Sequence, residues 1–133
     1  MKLIVDSNVL FSFFWKTSIT RELIINSDLI LYAPEFALVE LNKYAAIIID
    51  KTKLSTDYFK KMRMELAIFV EFIPERKYVS FLKKADALVT DKNDVDFVAL
   101  SLMLDCPLWT QDKELQDCGI KVLTTKEIID LMD

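Results

Sequence analysis

The chain contains no histidine among its 133 residues. That removes the commonest general base and the commonest zinc ligand, so any catalysis must rest on carboxylates, lysine, hydroxyls, cysteine or a bound cation. Four acids stand where such chemistry could be assembled. Asp6 directly follows the apolar run KLIV, and Asp112 follows PLWT after Thr110 and Gln111. Glu40 shares a helical face with Phe36, Tyr44 and Ile47, which lie at −4, +4 and +7 from it. A carboxylate on an apolar stripe is costly to bury unless it is paired or metal-bound. Asp94 precedes Phe97, Val98 and Ser101 on one helical face, with Asp91 and Asp96 close by. Acids of this kind suit a hard divalent cation, Mg²⁺ or Mn²⁺, which takes oxygen ligands and relieves the repulsion among gathered carboxylates. A phosphodiester can approach such a site once the cation has inverted its local charge.

Each acid also has a plainer reading. Asp6 and Asp112 are placed to cap the helices that follow them. Asp91 and Asp94 sit three apart at a helix start, where a carboxylate favours the helix dipole and one of them would serve as a cap. Glu40 would then be a partly exposed residue at the edge of its stripe, paired with Lys43.

The elements that must position these acids alternate along the chain. KLIV, LILYA, VEFIP, PLWT and IKVLT read as strands. VLFSFFW, TRELIIN, residues 35–50, TDYFKKMRMELAIF, YVSFLKKADALV, DVDFVALSLML and TKEIIDLM read as helices. Pro34 is an early helical residue for 35–50, and a short helix KELQD runs toward Gly119, the natural left-handed stop. The polar cluster TDKND separates two of the helices, and no linker or repeat interrupts the series. The alternation predicts one α/β domain over residues 1–133, with a parallel sheet flanked by helices. In open parallel sheets ligands bind beyond the carboxyl ends of the strands, near a topological switch point. Asp6 and Asp112 would share that crevice if their strands are neighbours.

Composition narrows the class further. Hydrophobic residues make up 53% of the chain, ample for a core, and one glycine with three prolines is too few for an all-β protein. The net charge of −4 disfavours adhesion to nucleic acid through a basic surface. No apolar run approaches the ~18–20 residues of a membrane span. The opening MKLIV is too short for a secretory core, and Cys106 and Cys118 stand outside any CxxC pair. A cytoplasmic protein with two free thiols and no membrane partner is the expectation.

Together these pieces resemble the PIN-domain family. The resemblance rests on LIVDSN at 3–8, the Glu of EFALVELNKY, an Asp in DKNDVDFVALSL, PLWTQDKEL at 107–115 and the closing GIKVLT, in order over nearly the whole chain. It implies a PIN-like three-layer α/β/α fold with a central parallel sheet of four to five strands, and metal-dependent cleavage of single-stranded RNA. Carried over, the first-strand Asp is Asp6, the helix Glu is Glu40 and the Asp after the WT strand is Asp112. The third acid stands five residues before a helical alanine, which selects Asp94 before Ala99. Asp91 and Asp96 are close alternatives and Asp86 a poorer one. Ser7, Asn8 and Thr110 match polar positions that would orient carboxylates or water. Small VapC-like members are toxin ribonucleases, so the resemblance also implies an antitoxin protein as partner and a homodimer.

The expected reaction is phosphodiester hydrolysis by a metal-activated water, which needs no imidazole base. Lys16, Arg21 and Lys113 are the candidates for positioning RNA, whereas Lys60, Lys61, Arg63, Lys83 and Lys84 read as solvated helix faces. Phe11, Phe14, Trp15 and Tyr58 read as core, with any exposed subset available for a dimer face or an antitoxin groove. Haloacid dehalogenase phosphatases also place an Asp after the first strand, but they need a second Asp where this chain has Asn8. The other alternative is a catalytically inactive PIN-like binding or assembly module, disfavoured by acids at all four positions.

Overall fold

The computed structural model describes residues 1–26 and 28–132. Five short strands, β1 (Lys2–Val5), β2 (Ile30–Pro34), β3 (Val70–Ile73), β4 (Leu108–Trp109) and β5 (Val122–Leu123), form a parallel sheet in the order β3-β2-β1-β4-β5. The helices are α1 (Ser7–Ser12), α2 (Ile19–Asn26), α3 (Phe36–Lys43), α4 (Ala45–Thr52), α5 (Thr56–Phe69), α6 (Glu75–Tyr78), α7 (Leu82–Leu88), α8 (Val95–Leu104) and α9 (Thr125–Met132). They flank the sheet and give the expected PIN-like α/β/α architecture.

A parallel sheet covered on both faces must be apolar at nearly every position. Leu3, Ile4, Val5, Leu31, Ala33, Leu108 and Trp109 are accordingly buried. Helix α8 packs against β1, β2 and β4, and Phe97, Val98, Ala99 and Leu100 on it are wholly enclosed. The chain builds outward from β1 to β2 and β3, then returns to add β4 and β5 on the other side. The switch point therefore falls between β1 and β4, where Val5 pairs with Trp109. The next residues, Asp6 and Thr110, emerge side by side at the carboxyl edge, and the Asp6 N–H donates to the Trp109 carbonyl at 3.0 Å.

Several elements differ from the sequence reading in extent. Residues 35–50 form two helices rather than one, because Tyr44 leaves helical geometry at φ −100°, ψ 7°. Its ring packs edge-on against Phe11 there, with centroids 5.7 Å apart. Ile47 consequently does not share the buried face of Glu40 and is 51% exposed. Pro34 closes β2, paired with Ile73, instead of opening α3. YVSFLKKADALV is divided among the end of α6, a 3₁₀ turn at Val79–Phe81 and α7, while KELQD is reduced to the 3₁₀ turn Lys113–Leu115. Gly119 has the expected positive φ, 104°, but in the turn region that follows. The left-handed helix stops are supplied by Lys53 after α4 and Asp105 after α8.

Capping follows local chemistry more closely. Ser18 Oγ accepts the Arg21 N–H near the start of α2, and Ser55 Oγ accepts the Tyr58 N–H at the start of α5. Thr124 and Glu127 exchange bonds in a capping box ahead of α9. Cys106 and Cys118 are free. Among the described residues no helix is long and apolar enough to cross a membrane.

Phe97 sits at the centre of this packing, edge-on to Phe36. Phe97→Ala should cost about 3–5 kcal/mol in urea unfolding. Ile68→Ala, at a site 77% exposed on α5, should stay within about 0.5 kcal/mol. Similar costs for the two would contradict this placement of the core.

Candidate active site

The carboxyl edge at the switch point collects the acids. Asp6 is 3% exposed and both of its oxygens are engaged. Oδ1 accepts the Ser7 N–H at 2.8 Å, which makes Asp6 the cap of α1. Oδ2 accepts the Thr110 hydroxyl at 2.5 Å and the Asn8 side-chain amide at 3.4 Å. Capping and a place in the acidic site are thus one arrangement, not rival readings. Thr110 is fully buried and is the hub of the network. Its hydroxyl oxygen accepts the Asp112 N–H at 3.0 Å and the Asn8 amide at 3.3 Å. Asp112 in turn caps the turn after it, Oδ1 accepting the Glu114 N–H at 2.9 Å.

Glu40 reaches this edge from α3, which packs against α1. Among the described residues its Oε1 is a buried oxygen with no hydrogen-bond partner. Its carboxyl is pushed up to about 7, first by burial and then by the Asp6 charge. The Ser7 side chain and Lys43 pull the other way without reversing the shift, and Asp91 adds to it. Asp94 stands at the cap position of α8 yet makes no side-chain capping bond. Its carboxyl is also pushed up to about 7, by burial and then by Asp6, Asp91, Asp112 and Glu40 in turn. Asp6 is raised as well, chiefly by burial, against the Thr110 and Ser7 hydrogen bonds, with Asp112 adding repulsion. Asp6 and Asp94 therefore lie within electrostatic reach of each other and of both Glu40 and Asp112.

The alternatives for the third acid are directed elsewhere or otherwise engaged. Asp96 accepts the Tyr78 phenol at 2.5 Å and lines a separate groove of about 500 Å³ with Glu35, Phe36 and Val39. Asp86 pairs with Lys92 on the surface at 2.5 Å. Asp91 is exposed and caps the Asn93 N–H at 3.0 Å, at the rim of the cluster. The signal that separates Asp94 from Asp96 is the Tyr78 hydroxyl, 18 residues away and invisible to local spacing.

The basic residues divide similarly. Arg21 is structural: it donates to the Phe13 carbonyl at 3.0 Å, stacks on the Phe13 ring at 4.5 Å and faces Glu65 at 3.6 Å. Lys16 lies over Tyr58 at 4.9 Å, and Lys113 is exposed beside Asp112. Lys43, which the sequence offered only as a partner for Glu40, is a cation whose charge reaches that acid.

An all-oxygen donor set of mutually repelling carboxylates, one with an orphaned buried oxygen, fits a hard divalent cation. As placed, no three acidic or cysteine side chains among the described residues converge closely enough to hold one ion together. Mg²⁺ commonly takes only one or two protein carboxylates and keeps its own waters, so the set still fits.

A family model described as PIN domain matches residues 4–131. No curated protein sequence matches the chain. Among solved structures, the crystal structure of VapBC2 from Rickettsia felis, bound to a DNA fragment from their promoter, contains a chain of similar fold. The TM-score is 0.63 at 14% identity, covering 93% of this chain and 98% of that one.

The raised carboxyls give the metal-free protein a defined pH response. Unfolded, Asp94 ionises near 3.8; folded, it holds its proton to about 7. Between these values the folded state binds the extra proton, so this contribution falls as pH rises through the window and is fully lost above it. In EDTA at pH 8, Asp94→Asn should stabilise the protein by about 1–2 kcal/mol, after allowing for solvent screening of a half-buried group. The gain should shrink toward pH 4. A pH-independent difference in melting temperature would contradict this electrostatic account.

Proposed function

Because the chain belongs to the PIN-domain family, a family of nucleases that use divalent metals, we propose that it is a ribonuclease hydrolysing phosphodiester bonds of single-stranded RNA. In this reading Asp6, Glu40, Asp94 and Asp112 hold Mg²⁺ or Mn²⁺, and residues 1–133 act as one nuclease domain. The observation that carries it is Asp94, a half-buried carboxyl surrounded by the charges of four other acids and unspent on its own helix cap. Folding does not favour such crowding unless a cation offsets it.

A divalent cation at this edge supplies positive charge for the phosphate and acidifies a water. The chain's own residues do the rest. Thr110, Asn8 and the Ser7 N–H hold the Asp6 carboxylate in a fixed orientation. Asp112 is held to that hub through its own N–H. Asp94 and Glu40 are poised to gain or lose a proton near neutral pH while no cation is bound. Lys43, three residues from Glu40, and Lys113, next to Asp112, would meet the RNA backbone, whereas Lys92 beside Asp94 is paired with Asp86.

The structural neighbour is a complex, VapBC2, with DNA of its promoter. That likeness supports the further reading of this chain as the toxin of a toxin–antitoxin pair, a cytoplasmic homodimer with an antitoxin protein as partner. The alternative, an inactive PIN-like binding module, predicts neither metal binding nor cleavage.

Labelled single-stranded RNA should be cleaved with Mn²⁺ or Mg²⁺, with activity abolished by EDTA and reduced at least 100-fold in folded Asp6→Asn, on the order of 3 kcal/mol of transition-state stabilisation. Cleavage that survives Asp6→Asn would mean a contaminant or another site. Independently, Mn²⁺ at 100 times its Kd should stabilise wild type by about 2.7 kcal/mol, seen as a rise in melting temperature. That rise should be smaller in Asp94→Asn. Its absence in wild type would favour the binding module.

A further inference from the structure

Two helices leave the acidic edge together. Ser7 on α1 and Glu40 on α3 face each other at the cluster. One helical turn further along each, at +4, stand Phe11 and Tyr44, and their rings meet edge-on at 5.7 Å. The interruption at Tyr44 places this aromatic contact where a straight helix over 35–50 would have continued past it. Both rings rest on the core with part of their surface open. The exposed Lys43 lies with its Nζ over the Tyr44 ring, 5.4 Å from the centroid, so that an exposed side chain covers this face of a partly buried ring. The same ammonium acts on Glu40. A π-face, a cation beside it and a carboxylate cluster one turn away thus form one continuous strip.

We propose that Tyr44, backed by Phe11 and flanked by Lys43, is a stacking subsite for the base of a nucleotide next to the scissile phosphate. The inference rests on the ribonuclease reading above and deepens it by naming what positions the substrate. An acidic protein cannot rely on a basic surface to hold RNA. Stacking is the complementary device: it needs no charge, and it accepts any base that is not already paired in a duplex. The base enters over the face of Tyr44 that Lys43 covers, and the Lys43 ammonium moves from the ring to the adjoining phosphate. Selectivity for unpaired strands follows, because a base held in a helix cannot reach the ring.

The test compares wild type, Tyr44→Leu and Tyr44→Phe with Mn²⁺ on a labelled single-stranded RNA. The same RNA is also made abasic at the nucleotide on each side of the cleaved bond in turn. Stacking predicts a loss of about tenfold in kcat/KM for Tyr44→Leu on the intact RNA and nearly full activity for Tyr44→Phe. One of the abasic RNAs should cost wild type a similar factor, and on that RNA Tyr44→Leu should lose less than about twofold more. Mn²⁺ affinity should be the same in all three proteins, which separates stacking from damage to the metal site. Losses that multiply, or an indifferent wild type on both abasic RNAs, would overturn the subsite while the nuclease reading stands. So would full activity of Tyr44→Leu, which would leave the patch to a protein partner. If Tyr44→Leu does not fold, the wild-type abasic comparison decides alone. Wild type that cleaves no RNA would remove the ribonuclease reading, and the subsite with it.

Discussion

The hydrogen bond from Thr110 to Asp6 joins residues 104 positions apart at the one place where the sheet reverses its order. Everything around the site depends on it. It fixes a buried carboxylate that would otherwise be free to turn away from its neighbours. It also commits the Thr110 hydrogen, leaving the hydroxyl oxygen to receive the Asp112 N–H and the Asn8 amide. The strand register makes this possible, since pairing Val5 with Trp109 delivers the next residue of each strand to the same edge. A one-residue slip would turn Thr110 to the opposite face. The register is defended by buried residues on both strands, Leu3 to Val5 and Leu108 to Trp109.

That arrangement works against folding. Burial and mutual repulsion raise the carboxyls of Asp6, Glu40 and Asp94, so each ionised acid at neutral pH opposes the folded state. The cost is carried by a core centred on α8, whose residues Phe97 to Leu100 are wholly buried immediately behind Asp94. Rigid packing there and crowding at the front belong to the same ten-residue helix. A loop could relax and let the carboxylates separate; an enclosed helix anchored on three strands cannot do so as easily.

Much of this was legible in the sequence because the fold is written in short apolar runs. All five strands were readable from KLIV, LILYA, VEFIP, PLWT and IKVLT, although β4 and β5 retain only two paired residues each. What escaped was whatever depended on a distant partner. No glycine or proline marks the break at Tyr44; the nearest feature is Phe11, from another helix. Helical spacing placed Ile47 on the Glu40 face by assuming one continuous helix. Spacing from Ala99 put Asp94 ahead of Asp91 and Asp96 but left both as alternatives, since what distinguishes them is a tyrosine hydroxyl, a cap and the absence of a cap. Arg21 looked like a phosphate contact until its guanidinium was found spent on Phe13 and Glu65.

The four acids are not equally supported by the fold. Asp6 and Asp112 begin a helix or turn whose backbone N–H groups point at them, and each accepts one. Asp94 also stands at a helix start, where the dipole favours negative charge even without a capping bond. Glu40 sits in the second half of α3, nearer the end where carbonyls gather and the dipole opposes it. Its Oε1 has no partner among the described residues, and its nearest positive charge is Lys43, held over Tyr44 and facing solvent. The Ser7 side chain and Lys43 offset only part of this, so Glu40, like Asp94, would gain from a positive ion. Glu40 therefore joins Asp94 as a carboxylate whose placement is hard to explain as structure alone, and the proposed cation would relieve both.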